Sequence, residues 1–187
     1  MRLKFFIVTC SALIWVALYW LNIQMFPHFK EQLGVNWIFL PSGARLLLVL
    51  LFDWPAVLGL MLGSCLTGPL AYGDHYALIL AAAVLSGGTP CLALLLIRTW
   101  PSYSRSLSNL TAARLLIYAV VFALMNSGCY QLLYLAFGVD TERTLPEAFF
   151  AMATGDFLGS LIVLGSISMI LRLMTHFGQA RNAGTSG

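Results

Sequence analysis

Apolar residues fill six stretches of the chain, roughly Phe5–Met25, Trp37–Phe52, Pro55–Tyr72, Tyr76–Ile97, Ala112–Phe137 and Leu145–Leu173. Polar residues gather in the connections between them. A helix that crosses a bilayer needs about 20 predominantly apolar residues, so the pattern predicts an all-α, polytopic membrane bundle of about six transmembrane helices. The second stretch is the short one, and it carries Pro41, Ser42 and Gly43. Proline removes a backbone donor and turns the preceding residue away from helical geometry, while glycine permits unusual backbone angles. A second helix broken at Pro41–Gly43 and restarting near Ser42 is therefore expected, with a simple proline kink as the alternative. Ser86–Pro90 (SGGTP) predicts a similar disturbance in the fourth helix. Residues 1–173 read as one transmembrane domain and 174–187 as a flexible cytoplasmic tail. The first stretch begins like a signal peptide, after Arg2 and Lys4, but its apolar run is too long and no small-residue cleavage site closes it, which predicts a retained helix.

Composition agrees with the pattern. Of 187 residues, 60% are hydrophobic and 9% charged, against about 25% charged in soluble domains. The net charge of +3 is small and the basic residues are scattered, which argues against nucleic-acid binding. Arg2, Lys4, Arg98, Arg105, Arg172 and Arg181 fall on one side of the six-span topology, with Arg114 at the same edge; Lys30 and Arg143 fall on the other among Glu31, Asp74, Asp140, Glu142 and Glu147. Lysine and arginine accumulate on the cytoplasmic side, so both termini are expected in the cytoplasm. Cys10, Cys65, Cys91 and Cys129 lie in apolar runs without a C-x-x-C pair and read as small buried hydrophobes.

Two charged residues, Arg45 and Asp156, do not fit ordinary lipid-facing helices. Arg45 lies about nine residues from the outer end of the second stretch and Asp156 about eleven from that of the sixth, so at about 1.5 Å of rise per residue both sit some 13–17 Å deep. Asn126, Ser86, Thr89 and Ser64 come out at similar depth on the fifth, fourth and third helices. Intramembrane charges usually face the bundle interior and pair with one another, so a pair of Arg45 with Asp156 is expected among neutral donors and acceptors. Such a layer serves either as a latch that fixes helix positions or as a small-molecule site at the bilayer midplane. A helix restarting near Ser42 would add backbone N–H groups and the positive end of its dipole, a corner suited to a carboxylate, whether that of Asp156 or of a ligand. Gly59 and Gly63, extended by Thr67, and Gly155 and Gly159, extended by Ala151, have the small-residue spacing that lets helices approach closely, and are expected to pack inside the bundle.

Three stretches together resemble the first class of the membrane-associated sensor (MASE) family. Residues 37–66, "WIFLPSGARLLLVLLFDWPAVLGLMLGSCL", are similar to its opening pattern. Residues 77–98, "ALILAAAVLSGGTPCLALLLIR", are similar to its Gly-Asn-Thr helix, with Gly88 and Thr89 kept and Gly87 in place of asparagine. Residues 153–171, "ATGDFLGSLIVLGSISMIL", are similar to its Gly-Asp-x-x-Gly signature through Gly155, Asp156 and Gly159, with Gly165–Ser166 where a proline often follows. The resemblance covers about residues 37 to 172 and implies a bacterial inner-membrane sensory module. In that family such a module usually precedes a histidine kinase or a cyclic-di-nucleotide enzyme. No such domain follows Leu173, so an excised domain or a stand-alone member that signals through a partner is expected. The resemblance assigns neither a ligand nor a role for Arg45.

Other function classes fit less well. A substrate-binding subunit of a vitamin or metal transporter has similar size and span number, but the Ala-x-x-x-Ala cue is missing from the first span, where Ala12 and Ala17 are five apart. His28, His75 and His176 lie in connections or the tail, away from a buried serine or cysteine that they could activate, so no enzyme, cofactor or metal site is expected. A membrane scaffold, with the charge pair acting only as a latch, also fits. A receptor module in the lipid bilayer, binding a small molecule in the midplane layer and signalling through the sixth helix, is therefore expected.

Overall fold

The computed structural model describes residues 2–25, 37–99, 112–139 and 144–184. These residues form six helices: α1 (Arg2–Met25), α2 (Pro41–Phe52), α3 (Trp54–Tyr72), α4 (Tyr76–Arg98), α5 (Ala112–Ala136) and α6 (Leu145–Gly184). Five of them are long and apolar enough to cross a membrane; α2, with 12 residues, is not. Their outward faces are apolar, as Leu66, Leu132 and Phe150 illustrate, each with 64–70% of its surface exposed. In water such a surface would drive aggregation, whereas a bilayer solvates it.

Packing follows from which face of each helix is buried. On α1 only Ser11, Trp15 and Asn22 are buried, one stripe that lies along α3. Gly59 and Gly63 make that contact close: a Cβ on Gly59 would strike the Val8 carbonyl and Ser11, and one on Gly63 would strike Trp15. The Trp15 indole N–H donates to the Thr67 hydroxyl at 3.0 Å. This G-x-x-x-G stretch thus packs internally, as expected. From α3 the chain packs on to α4, α5 and α6 in turn, while among the described residues α1 and α6 do not pack against each other. Short α2 packs against all five other helices, so the long helices form an open ring with α2 as its central member.

α2 fills only half the length of that ring. It ends at Asp53, whose φ of 52° makes the corner into α3. At this end Lys4 lies over the Trp54 ring and Arg98 pairs with Asp53 at 3.3 Å. The opposite end carries Tyr72, Gly73 with its φ of 59°, and the start of α4. Two apolar cores result. One surrounds α2 and includes Trp15, Leu46, Val49, Leu60, Leu94 and Phe122. The other, around Tyr72, Tyr130, Tyr134 and Met152, contains no residue of α1 or α2.

Three local expectations change. α4 is continuous through Ser86–Pro90; a proline removes one helical hydrogen bond, and neighbouring helices tolerate that within a bundle. Gly43 has helical backbone, and its lack of a side chain serves close packing, since a Cβ there would meet Val163 and the Gly159 carbonyl. α6 continues to Gly184, through most of the stretch read as a flexible tail; residues 168–183 contain no proline and only one glycine to interrupt it. The connections at 100–111 and 140–143, with Arg105, Asp140, Glu142 and Arg143, lie outside the described residues, as do His28, Lys30 and Glu31.

Candidate functional site: a buried charge network at the start of α2

The second helix is broken where its sequence indicates. Residues 37–40 are not helical, and Pro41 opens α2, a position where the missing proline N–H costs nothing. The irregular segment is held from both sides. The Phe39 N–H donates to the Gly155 carbonyl of α6 at 3.1 Å, and the Leu40 N–H donates to Oδ1 of buried Asn22 on α1 at 2.8 Å. A Cβ on Gly159 would collide with the Phe39 carbonyl. The Gly155–Gly159 stretch therefore packs inside the bundle, as expected, with Gly159 admitting the irregular segment as well as the start of α2.

The first turn of α2 meets Asp156. The Ser42 and Gly43 N–H groups turn back onto the carbonyls of Phe39 and Leu40, at 3.1 and 3.2 Å, so they do not form the N–H corner expected from sequence. Instead the Ser42 hydroxyl donates to Oδ1 of Asp156. Arg45, one turn on and on the same face, donates from Nη2 to that oxygen at 3.1 Å and to the Ser42 hydroxyl at 2.9 Å. Its Nη1 donates to Oδ1 of Asn126 at 3.2 Å, and Nδ2 of Asn126 donates to Oδ2 of Asp156. The result is a closed ring, Arg45–Ser42–Asp156–Asn126. The Thr89 hydroxyl has one proton and two acceptors in reach, Oδ1 of Asn126 at 2.7 Å and the Leu85 carbonyl at 2.8 Å.

Arg45 and Asp156 are each 1% exposed, and they are the buried charged side chains among the described residues. Taking either charge out of water costs several kcal/mol. Their contact, two neutral partners (Ser42 and Asn126) and an aromatic box offset that cost, while Arg45 Nε has no hydrogen-bond partner among the described residues. The guanidinium carbon lies 5.4, 5.5 and 5.1 Å from the ring centres of Trp15, Phe39 and Phe122, within the range of attraction between a cation and an aromatic face. The site as a whole carries no net charge.

The structure thus brings together Arg45, Asp156, Asn126 and Thr89 of the residues singled out from sequence. Ser64 and Ser86 are buried on α3 and α4, but among the described residues no hydrogen bond joins either to the network. Sequence reasoning missed Ser42 as a member, although its spacing of three from Arg45 was a usable signal. It also missed Asn22, a lone amide late in the first apolar run, and the aromatic box, which helix periodicity cannot indicate because its rings come from α1, the irregular segment and α5. Among the described residues no histidine, cysteine, aspartate and glutamate side chains are grouped as a metal ion would need. No family model, no curated protein and no solved structure matches the chain.

Proposed function

We propose that the chain is a bacterial inner-membrane sensor or receptor module in which a small molecule is read at the start of α2 and the response travels through α6. One observation carries this reading. The start of α2 is fastened to α6 by the Phe39–Gly155 hydrogen bond and by the grip of Ser42 and Arg45 on Asp156, and α6 then runs on to Gly184, beyond the apolar stretch that ends at Leu173. A ligand that competes for any of these bonds changes how α2 sits on α6, and α6 delivers the change to an output domain or partner. The resemblance to the membrane-associated sensor family supports a histidine kinase or a cyclic-di-nucleotide enzyme as that output.

A thermal-shift screen of detergent-purified protein against carboxylates, phosphates, amino acids and aromatic metabolites tests the reading. A molecule that binds only the folded state at a hundred times its Kd adds about 2.7 kcal/mol of stability, so a true ligand moves the melting transition by several degrees. Thr89→Val should weaken that shift while lowering basal stability little, because single intramembrane hydrogen bonds average about 0.6 kcal/mol. Asn126→Ala is unsuitable for this purpose, since it strips partners from Arg45 and Asp156 together.

A second reading is a latch, in a scaffold or in a transporter subunit. The observation in its favour is that both terminal nitrogens of Arg45 and both oxygens of Asp156 already have protein partners. A broad screen with no stabilising molecule would favour it. In either case the orientation is open to test. Lys4 and Arg98 share one end of the bundle and Asp74 lies at the other, so a membrane-impermeant thiol reagent should reach Asp74→Cys from outside the cell and Thr99→Cys only after the membrane is opened. Labelling of both from one side would reject the topology.

A further inference from the structure

Between α2 and the Tyr72 end, the ring of long helices has no central helix. The irregular backbone of residues 37–40 enters here, and non-helical backbone at membrane depth persists only where protein buries it or water lines it. Five buried side-chain polar atoms lack a hydrogen-bond partner among the described residues; the Ser11 hydroxyl and Arg45 Nε lie on α1 and α2, beside the first core, and the other three lie on α4 and α5. These three are the Ser86 hydroxyl, the Ser127 hydroxyl and the Gln131 amide nitrogen, on residues 0, 0 and 5% exposed. Buried polar groups are nearly always paired, and an unpaired one signals a missing water or ligand.

Their positions are related. Along α4, Ser86 lies between Ala82, whose carbonyl accepts the Tyr130 hydroxyl at 3.0 Å, and Thr89, which reaches Asn126. Along α5, Ser127 and Gln131 are one turn apart, and each directly follows a residue that makes one of those contacts, Asn126 or Tyr130. Tyr130 and Tyr134 meet edge to face, as do Tyr72 and Tyr134. The Tyr72 and Tyr134 hydroxyls lie 3.1 Å apart; one proton serves that bond and a second is free for an acceptor.

We infer that the α4–α5 side of this half of the bundle, beside its apolar core, is a hydrated compartment for an uncharged small molecule with hydrogen-bond acceptors on a flat, aromatic-sized body, such as an amide, ketone or ester. The inference rests on the receptor reading and narrows its ligand. Charge is excluded because Arg45 and Asp156 neutralise each other at the compartment's floor, and no other buried ionised group is available among the described residues to pair with an ionic ligand. Acceptors are required because the amide nitrogen of Gln131 can only donate and the two serine hydroxyls have protons to place. A flat body suits the tyrosine faces.

Single cysteines test this in the full chain, with Cys10, Cys65, Cys91 and Cys129 replaced by alanine. Ser127→Cys and Gln131→Cys probe the compartment, and Leu94→Cys probes the apolar core around α2. A buried thiol reacts with methanethiosulfonates only where water allows it to ionise. The neutral methyl reagent should label residues 127 and 131 at least tenfold faster than residue 94, and the sulfonated anionic reagent should label all three slowly. Benzamide should slow labelling at 127 and 131, whereas benzoate, of the same shape but charged, should not. Because Ser→Cys is nearly isosteric, Ser86→Cys serves as a third probe if Gln131→Cys fails to fold. Rates at 127 and 131 no faster than at 94 would overturn the compartment. Equal labelling by the anionic reagent, equal protection by benzoate, or no protection by benzamide would overturn the ligand class. A hit in the thermal-shift screen combined with unreactive cysteines would remove this inference and leave the receptor reading standing. Reactive cysteines with no stabilising molecule would remove the receptor reading instead.

Discussion

Arg45→Ala and Asp156→Ala will each destabilise the bundle by about 3–5 kcal/mol, the typical cost of leaving one member of a buried ion pair without its partner. The structure explains why the effect should lie in that range. Removing Asp156 leaves a guanidinium with the Ser42 hydroxyl, the Asn126 amide oxygen and three aromatic faces. These are neutral partners that reduce the penalty without abolishing it. Removing Arg45 leaves a carboxylate held by the Ser42 hydroxyl and the Asn126 amide, again without a counter-charge. The double variant buries no charge, so its loss should be clearly smaller than the sum of the two single losses. Thermal or denaturant unfolding in detergent, run as a double-mutant cycle, measures this directly. Additive losses would mean that the two side chains do not interact and would remove the network as described.

Gly159→Ala will destabilise by about 1–3 kcal/mol, the usual cost of overpacking a fitted contact, although alanine is the better helix former by up to about 1 kcal/mol. The steric effect wins because the new methyl group would meet backbone, the Phe39 carbonyl and the Leu40 nitrogen, which has no rotamer to escape into. Phe39 and Leu40 are tied to Gly155 and Asn22, so shifting them also strains the start of α2. Gly88→Ala on α4 and Gly165→Ala on α6 are the matched comparisons. Neither position has an atom within 4 Å of the added carbon, and both should be neutral or slightly stabilised. Similar melting shifts at all three positions would show that Gly159 is not fitted against the irregular segment.

The sequence by itself determined the all-helical membrane architecture, the break before the second helix and most of the central network. The physical reason is cost. Apolar runs of spanning length have few other stable states, and an arginine or aspartate at mid-bilayer depth needs a partner at the same depth. With few polar residues inside the spans, Arg45, Asp156, Asn126 and Thr89 could be matched by depth alone. Depth says nothing about direction around a helix, which is why Ser64 and Ser86 share the depth of a network they do not join. Only the tertiary structure decided that α2 is the central member of the ring and fills half its length. It also decided that Gly159 faces an irregular segment as well as the start of α2, and that Trp15, Phe39 and Phe122 enclose the guanidinium. Each of these depends on which segments far apart in the chain come face to face. The periodicity of a single helix, apolar nearly all round in a membrane, carries little of that information.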